Sequence, residues 1–194
     1  MRNKTRTREF AGAISLRFVL GALILLVGAL ALLSCRSVDW FLVKSSLRNQ
    51  FGDVDWITTE QLADWLASKN RPLPILLDVR TRPEWEVSHL PEARLVDPQS
   101  DPTRALLGLP RDTPFVTYCA VGYRSARAAR RLRAAGFSNV QNLDGSIFQW
   151  ANENRPLMRE GKNVRQVHPY STFWGRLLAP ERRAPRAILP NDGW

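Results

Sequence analysis

Short, continuously apolar runs alternate with amphipathic segments through the middle of the chain. The runs at residues 75–80 and 114–118 show no polar–apolar alternation, a pattern typical of parallel strands that are covered on both faces. The pattern predicts strands at 56–57, 75–80, 94–96, 114–118 and 140–143, and helices at 58–68, 83–87, 125–135 and 147–152. Strands separated by helices indicate an α/β domain with a parallel β-sheet and helices on both faces.

A longer apolar run lies near the N-terminus. Phe18 to Ser34 is uncharged over 17 residues, and five basic residues and one acid precede it. This pattern predicts an N-terminal apolar helix that acts as an uncleaved signal anchor, with the remainder of the chain on the extracytoplasmic (periplasmic) side. Two alternatives stay open. Leu32–Cys35 resembles a lipoprotein signal, and the arginine-rich, acid-poor start resembles an organelle presequence.

Composition divides the chain into four parts. Residues 1–36 are the signal anchor or signal peptide, and residues 37–53 are a linker with a short amphipathic piece at 40–43. Residues 54–156 form the α/β domain. Residues 157–194 form a basic C-terminal extension rich in proline and aromatic residues. For this extension the sequence leaves four states open: packing on the domain, binding a partner, lying on an anionic membrane surface, or disorder.

Charge and cysteine content exclude several functional classes. The net charge is +10, but residues 1–17 and 157–194 each contribute +4, so the domain itself carries little of it. A nucleic-acid-binding domain would carry a basic face of its own, and we expect no nucleic-acid partner. The two cysteines and two histidines have no metal-ligand spacing, so we expect no metal, no cofactor and no disulfide.

The segment from Cys119 to Ser125, called the Cys119 loop below, joins a predicted strand to a predicted helix. Backbone N–H groups at a helix N-terminus attract anions, and a cysteine beside them ionises readily. Arg124 adds a permanent charge to the same loop. The Cys119 loop is therefore predicted to hold a reactive thiolate in an anion-binding site.

Several motifs together resemble the rhodanese family. The segments Leu77–Arg80, Glu84-Trp85 and His89–Pro91 are similar to its N-terminal signature. The Cys119 loop and the helix after it resemble its active site, and Leu143–Gly145 resembles its closing turn. The resemblance covers residues 54–156 and implies a rhodanese-like α/β domain. The sequence departs from the family pattern at three positions, where glycine is usual: Ser88, Glu92 and Ser146.

Loop length separates two chemistries within this resemblance. Counting both ends, Cys119 to Arg124 is six residues. Family members that act on sulfur compounds have a six-residue loop, whereas the related phosphatases and arsenate reductases have a seven-residue loop that suits a larger oxyanion. The resemblance thus favours a sulfurtransferase, with a phosphatase as a weak alternative.

The resemblance also implies a mechanism and a set of site residues. The Cys119 thiolate takes the outer sulfur of thiosulfate or a similar donor, and the persulfide then passes to a thiophilic acceptor. Asp78 and Arg80 support the loop, and Arg124 either stabilises the loop or binds the donor. The implied substrate-binding residues are Ala120, Val121, Gly122, Tyr123, Arg124 and Ser125. The alternative is a membrane-tethered sulfur-relay or binding module that acts with a protein partner, such as a protein sulfur acceptor.

Overall fold

The computed structural model describes residues 18–23, 38–96, 103, 106 and 108–185 of the chain. These residues belong to two compact units, residues 1–41 and 42–194.

In the first unit, residues 18–23 are helical and several of their large apolar side chains are exposed, including Phe18 and Leu23. Most of the predicted signal anchor, with Cys35, lies outside the described residues. Among the described helices, none combines the length and the apolar character needed to cross a bilayer.

The second unit is built on a five-stranded sheet with the strand order β1-β5-β4-β2-β3, in which every pairing is parallel. The strands are β1 (Asp55–Ile57), β2 (Ile75–Asp78), β3 (Arg94–Leu95), β4 (Phe115–Tyr118) and β5 (Val140–Leu143). All four residues of β4 are buried. Because successive side chains of a strand point to opposite faces, the sheet is covered on both faces at β4. The predicted α/β class with a parallel sheet is confirmed.

Helices connect the strands. They are α1 (residues 38–50), α2 (Thr59–Ala67), α3 (Arg82–Val87), α4 (Tyr123–Ala134) and α5 (Ser146–Asn152). The predicted capping box at the start of α2 is present, with Gln61 N–H donating to the Thr58 hydroxyl and Thr58 N–H donating to the Gln61 side chain. Helix α4 starts at Tyr123, two residues before the predicted start, because Gly122 provides its left-handed N-cap.

The segment expected to be a linker is helical over most of its length, since α1 occupies residues 38–50. Leu47 on this helix and Phe51 just after it are buried in the core of the second unit. They pack with Phe115, Leu132 and other residues of the sheet and of α4. Burial of these apolar side chains stabilises the end of α1 against the domain.

The C-terminal extension folds onto the domain over residues 157–185. Strands β6 (Leu157–Arg159) and β7 (Lys162–Val164) form an antiparallel hairpin, which the sequence did not predict. Met158 in β6 also pairs with the backbone of His89. Val167, Leu177 and Leu178 are buried. Of the four states that the sequence left open, the described residues of the extension adopt packing on the domain.

Candidate active site

The Cys119 loop leaves the carboxyl end of β4 and enters α4. Gly122 makes the turn with φ of 118°, a conformation that side-chain-bearing residues rarely adopt. A Cβ at this position would lie 3.4 Å from Leu47 Cδ1 and 3.5 Å from the Trp56 ring. Asn142 in β5 donates its side-chain N–H to the Gly122 carbonyl at 2.9 Å. The turn is therefore held from α1, β1 and β5.

Helix α5 holds the other side of the loop. The Ile147 and Phe148 N–H groups donate to the carbonyls of Cys119 and Ala120, each at 3.2 Å. The Ser146 hydroxyl accepts the Cys119 N–H at 3.2 Å. Ser146 is one of the predicted departures from the family pattern, and its φ of 49° is in the left-handed region where glycine is favoured. Its side chain compensates by fixing the backbone of the cysteine.

The Cys119 thiol is buried, with 1% of the residue exposed, and its sulfur accepts the Gly122 N–H at 3.2 Å. Burial raises the pKa of this thiol. The charge of Arg124, the Ser125 side chain and the N–H groups of Ser125 and Gly122 lower the pKa by more, so it lies below its ordinary value. A lowered pKa is the direction expected for a thiol beside a helix N-terminus and an arginine.

Ser125 lies in the first turn of α4 and is fully buried. Among the described residues, its hydroxyl has no hydrogen-bond partner of standard geometry. The Ser125 hydroxyl instead interacts with the Cys119 sulfur and helps to lower the pKa of that thiol, so it is placed to donate to an anionic group bound there.

The Arg124 side chain is held by hydrogen bonds to a residue of α3. Its two terminal nitrogens donate to the two carboxylate oxygens of Glu84, each at 2.7 Å. The Thr81 N–H and hydroxyl also donate to Glu84. Burial raises the pKa of Glu84, but the bonds and charge of Arg124, the charge of Arg80 and the Thr81 N–H together lower it to about 2. The two hydrogen bonds to this carboxylate fix the orientation of the Arg124 guanidinium group.

A ring from the C-terminal extension lies on the same guanidinium. Arg124 Cζ is 4.6 Å from the centre of the Tyr170 ring. The guanidinium therefore contacts the Tyr170 ring while both of its terminal nitrogens are bonded to Glu84. Of the two roles predicted for Arg124, stabilising the loop and binding the donor, this geometry directly provides the first.

Asp78 and Arg80, predicted to support the loop, form a fully buried ion pair at the end of β2, with Arg80 Nη2 2.6 Å from Asp78 Oδ2. Arg80 also donates to the Ser88 carbonyl at 2.6 Å. Asp78 pairs in register with Tyr118, the residue before Cys119, and the Tyr118 hydroxyl accepts the Leu90 N–H. The ion pair therefore holds the segment after β2 beside β4, the strand that leads into the Cys119 loop.

Several residues that the sequence did not single out for the site contact its predicted members, among them Glu84, Asn142 and Tyr170. Only Glu84 has a local signal, since Thr81 and Glu84 have the spacing of a capping box at the start of α3. The described residues contain no group of three or more His, Cys, Asp or Glu arranged to hold a metal ion.

Comparisons with known proteins agree with this geometry. The family model described as "Rhodanese-like domain" matches residues 58–153. A sulfurtransferase of Allochromatium vinosum is 33% identical over 105 residues, covering 54% of this chain and 95% of that protein. A "Probable adenylyltransferase/sulfurtransferase MoeZ" of Mycobacterium tuberculosis is 41% identical over 104 residues, covering 53% of this chain. The matched region spans only 26% of the length of that MoeZ protein.

The chain is also similar to solved structures. A rhodanese-like domain protein from Staphylococcus aureus aligns with a TM-score of 0.48 and 28% identity, covering 55% of this chain and 99% of that chain. The Allochromatium vinosum protein is matched over nearly its whole length at more than 30% identity. The chain described above therefore belongs to the rhodanese-like domain family.

Proposed function

We propose that this protein is a sulfurtransferase that carries sulfane sulfur as a persulfide on Cys119. One observation carries the proposal: the buried Cys119 sulfur accepts the Gly122 N–H and has a pKa below its ordinary value. A lowered thiol pKa favours the thiolate, which is the nucleophile that sulfur transfer needs. The relatives named as sulfurtransferases support the same reaction class.

The proposed reaction has two displacement steps. The Cys119 thiolate attacks the outer sulfur of thiosulfate, a new S–S bond forms, and the thiosulfate S–S bond breaks with its electron pair leaving on sulfite. An acceptor such as cyanide then attacks the outer persulfide sulfur. The persulfide S–S bond breaks, its electron pair returns to Cys119, and thiocyanate leaves. No outside oxidant or reductant is consumed.

The Cys119 loop supports both steps. The terminal sulfur of a persulfide is anionic, and the backbone N–H groups of residues 120–125 with the Ser125 hydroxyl are the donors that would bind it. The N-terminal end of α4 adds positive potential at the same point. We assign Arg124 a mainly electrostatic role, because its terminal nitrogens are already bonded to Glu84. The six-residue loop favours a sulfur donor over a phosphate ester.

The test is a thiosulfate-to-cyanide transfer assay on the full-length protein, with Cys119→Ala and Cys35→Ala as matched variants. The proposal expects thiocyanate production by the wild type and by Cys35→Ala, and none by Cys119→Ala. Equal rates for Cys119→Ala and wild type would refute the role of Cys119.

A sulfur-relay module that receives its persulfide from a protein partner is the second candidate. Two half-exposed tyrosines favour it, since Tyr123 is part of the Cys119 loop and Tyr170 lies on Arg124. Such aromatic side chains are common in protein interfaces. A relay module would accept sulfur from a persulfidated protein much faster than from thiosulfate, and competition between the two donors in one assay separates the candidates.

We also propose that residues 1–36 anchor the protein in a membrane with the domain on the extracytoplasmic side. The support is the uncharged segment from Phe18 to Ser34 and the basic residues before it. Carbonate extraction of membranes followed by intact-mass measurement tests this. Full-length protein in the extracted membrane pellet supports the anchor, and a shortened chain in the soluble fraction contradicts it. Protease accessibility of the domain in intact cells and in spheroplasts tests its side.

A further inference from the structure

The C-terminal extension lies outside the segment that matches the family model, yet it reaches the active site. The match ends at residue 153, and Tyr170 lies well beyond it. The side chain of Asn152 fixes the path of the extension, because it donates to the Leu177 carbonyl and accepts the Ala179 N–H, both at 2.8 Å. The Val167 N–H donates to the Arg182 carbonyl at 2.8 Å, and the Val167 carbonyl accepts the Ala184 N–H at 3.0 Å. The segment that carries Tyr170 is thus held at both ends.

The backbone of Tyr170 is held in an unfavourable conformation. Its φ is 63°, in the left-handed region that a bulky residue rarely adopts. The Tyr170 N–H donates to Nδ1 of His168 at 3.0 Å, and His168 is buried with 2% of its surface exposed. The Ser171 N–H donates to the Pro169 carbonyl at 2.7 Å. Strained residues persist where the surrounding structure fixes them, and such positions cluster at functional sites.

The strained backbone of Tyr170 places its ring on the Arg124 guanidinium group. The Tyr170 ring lies 4.6 Å from Arg124 Cζ, which is cation–π distance. Glu84 holds the terminal nitrogens of the guanidinium with two hydrogen bonds, so the ring and the carboxylate both restrict where the guanidinium lies. Arg124 is in turn the main charge that favours the Cys119 thiolate. A chain of contacts therefore runs from the extension to the nucleophile.

We propose that Tyr170 is a positioning residue for sulfur transfer, holding the Arg124 guanidinium in the orientation that supports the Cys119 thiolate. The proposal rests on the function proposed above and adds the C-terminal extension to the active site. It predicts that loss of the ring weakens thiolate stabilisation without touching Cys119 or the loop itself.

The left-handed backbone of Tyr170 guides the choice of the test variant. Asparagine accepts the left-handed region more readily than tyrosine does. Tyr170→Asn therefore removes the ring and relieves the backbone together. If Tyr170 were merely structural, this variant would change stability and leave the pH midpoint of Cys119 alkylation unchanged. Tyr170→Phe keeps the ring and serves as the conservative rescue. Phe173→Ala is the matched control, because Phe173 is a more exposed aromatic of the same extension that packs on Trp174 and Arg176.

The primary measurement is the rate of Cys119 alkylation by iodoacetamide against pH, in full-length protein carrying Cys35→Ala. For Tyr170→Asn we expect the midpoint to rise by up to about 0.5 pH unit, because the coupling between the ring and the thiol acts through Arg124 and is limited by the energy of one cation–π contact. Tyr170→Phe should restore the wild-type midpoint, and Phe173→Ala should leave it unchanged. A Tyr170→Asn midpoint equal to the wild type overturns the proposal.

Two further measurements keep the outcome interpretable. Thermal unfolding of each variant shows whether it is folded, and Tyr170→Leu, which keeps apolar bulk without a π face, replaces Tyr170→Asn if the latter does not fold. The thiosulfate-to-cyanide rate is measured in parallel. A wild type that alkylates readily but transfers no sulfur contradicts the proposed function alone. The alkylation profiles still decide the role of Tyr170.

Discussion

Arg124 and Glu84 form a two-bond ion pair, 2.7 Å at each bond, between the first turn of α4 and the first turn of α3. Glu84 is buried, whereas the Arg124 side chain keeps 23% of its surface exposed. The pair holds the positive charge of Arg124 where it acts on the Cys119 thiol. Neither hydrogen bond of the pair involves the thiol itself. The ion pair also joins the segment after β2 to the Cys119 loop. The geometry of the site and the folding stability of the domain therefore both depend on this ion pair.

Folding stability should depend on pH through Glu84. The pKa of Glu84 is about 2 in the folded protein against 4.5 ordinarily. A depressed carboxyl pKa contributes stability that is present above the unfolded value and is lost as pH falls toward the folded value. The free energy of unfolding should therefore fall between pH 4.5 and pH 2, by about 3 kcal/mol from this group.

Urea unfolding of wild type and Glu84→Gln at several pH values checks this prediction. The glutamine has nearly the same shape and does not titrate, so the variant should start less stable at pH 7 and show a shallower loss in acid. Parallel curves for the two proteins across this range would contradict the assigned pKa.

Removing the Arg124 charge should raise the pKa of the Cys119 thiol, because that charge lowers it in the folded protein. In Arg124→Ala the iodoacetamide profile should move to higher pH, so that less thiolate is present at pH 7 and transfer is slower than in the wild type. Arg127→Ala removes an exposed arginine of the same helix and should change neither quantity. An equal response of the two variants would show that general positive charge, rather than Arg124, acts on the thiol.

Gly122→Ala should distort the Cys119 loop. The new Cβ would have a disfavoured φ of 118° in a packed part of the loop, at contact distance from Leu47 and Trp56, so we expect a loss of about 1–3 kcal/mol of stability and most of the transfer activity. Gly161→Ala is the control, since its φ of 73° is also positive but a Cβ there meets no atom within 4 Å. It should lower stability and leave transfer intact. Chemical unfolding and the transfer assay on both variants separate local strain from loop distortion.

Leu47→Ala should connect helix α1 to activity. Leu47 is buried against the loop glycine, and removing a buried leucine side chain costs about 2–5 kcal/mol. Leu42→Ala on the same helix removes a side chain that is 58% exposed and should cost little. We expect weaker stability and slower transfer in Leu47→Ala only. Equal effects of the two substitutions would mean that α1 does not support the loop.

The sequence predicted the parts of the fold whose signals are local. Continuous apolar runs predicted β2 and β4, and the Thr58–Gln61 capping box predicted the start of α2, because backbone and side chain satisfy each other within one turn there. Composition predicts a linker where the structure has helix α1. Val43, Leu47 and Phe51 nevertheless have the i, i+4, i+8 spacing of a helix face that packs on the core. That periodic signal was present in the sequence and was missed.

The site was only partly predictable, for a physical reason. The reactivity expected of Cys119 follows from the local sequence of strand, loop and helix, which places N–H groups around one atom. The contacts of Arg124 are different, because Glu84 is 40 residues away along the chain and Tyr170 lies beyond the family segment. Strands β6 and β7 have three residues each and depend on each other and on His89 for pairing, so they carry no periodic pattern.

The most direct test of the account is the intact mass of the full-length protein after incubation with thiosulfate. The account predicts that wild type and Cys35→Ala gain the mass of one sulfur atom, release one equivalent of sulfite, and return to the original mass when cyanide is added. Cys119→Ser should remain unchanged throughout. A wild-type mass that does not change, or a sulfur adduct that persists in Cys119→Ser, would contradict a persulfide carried on Cys119.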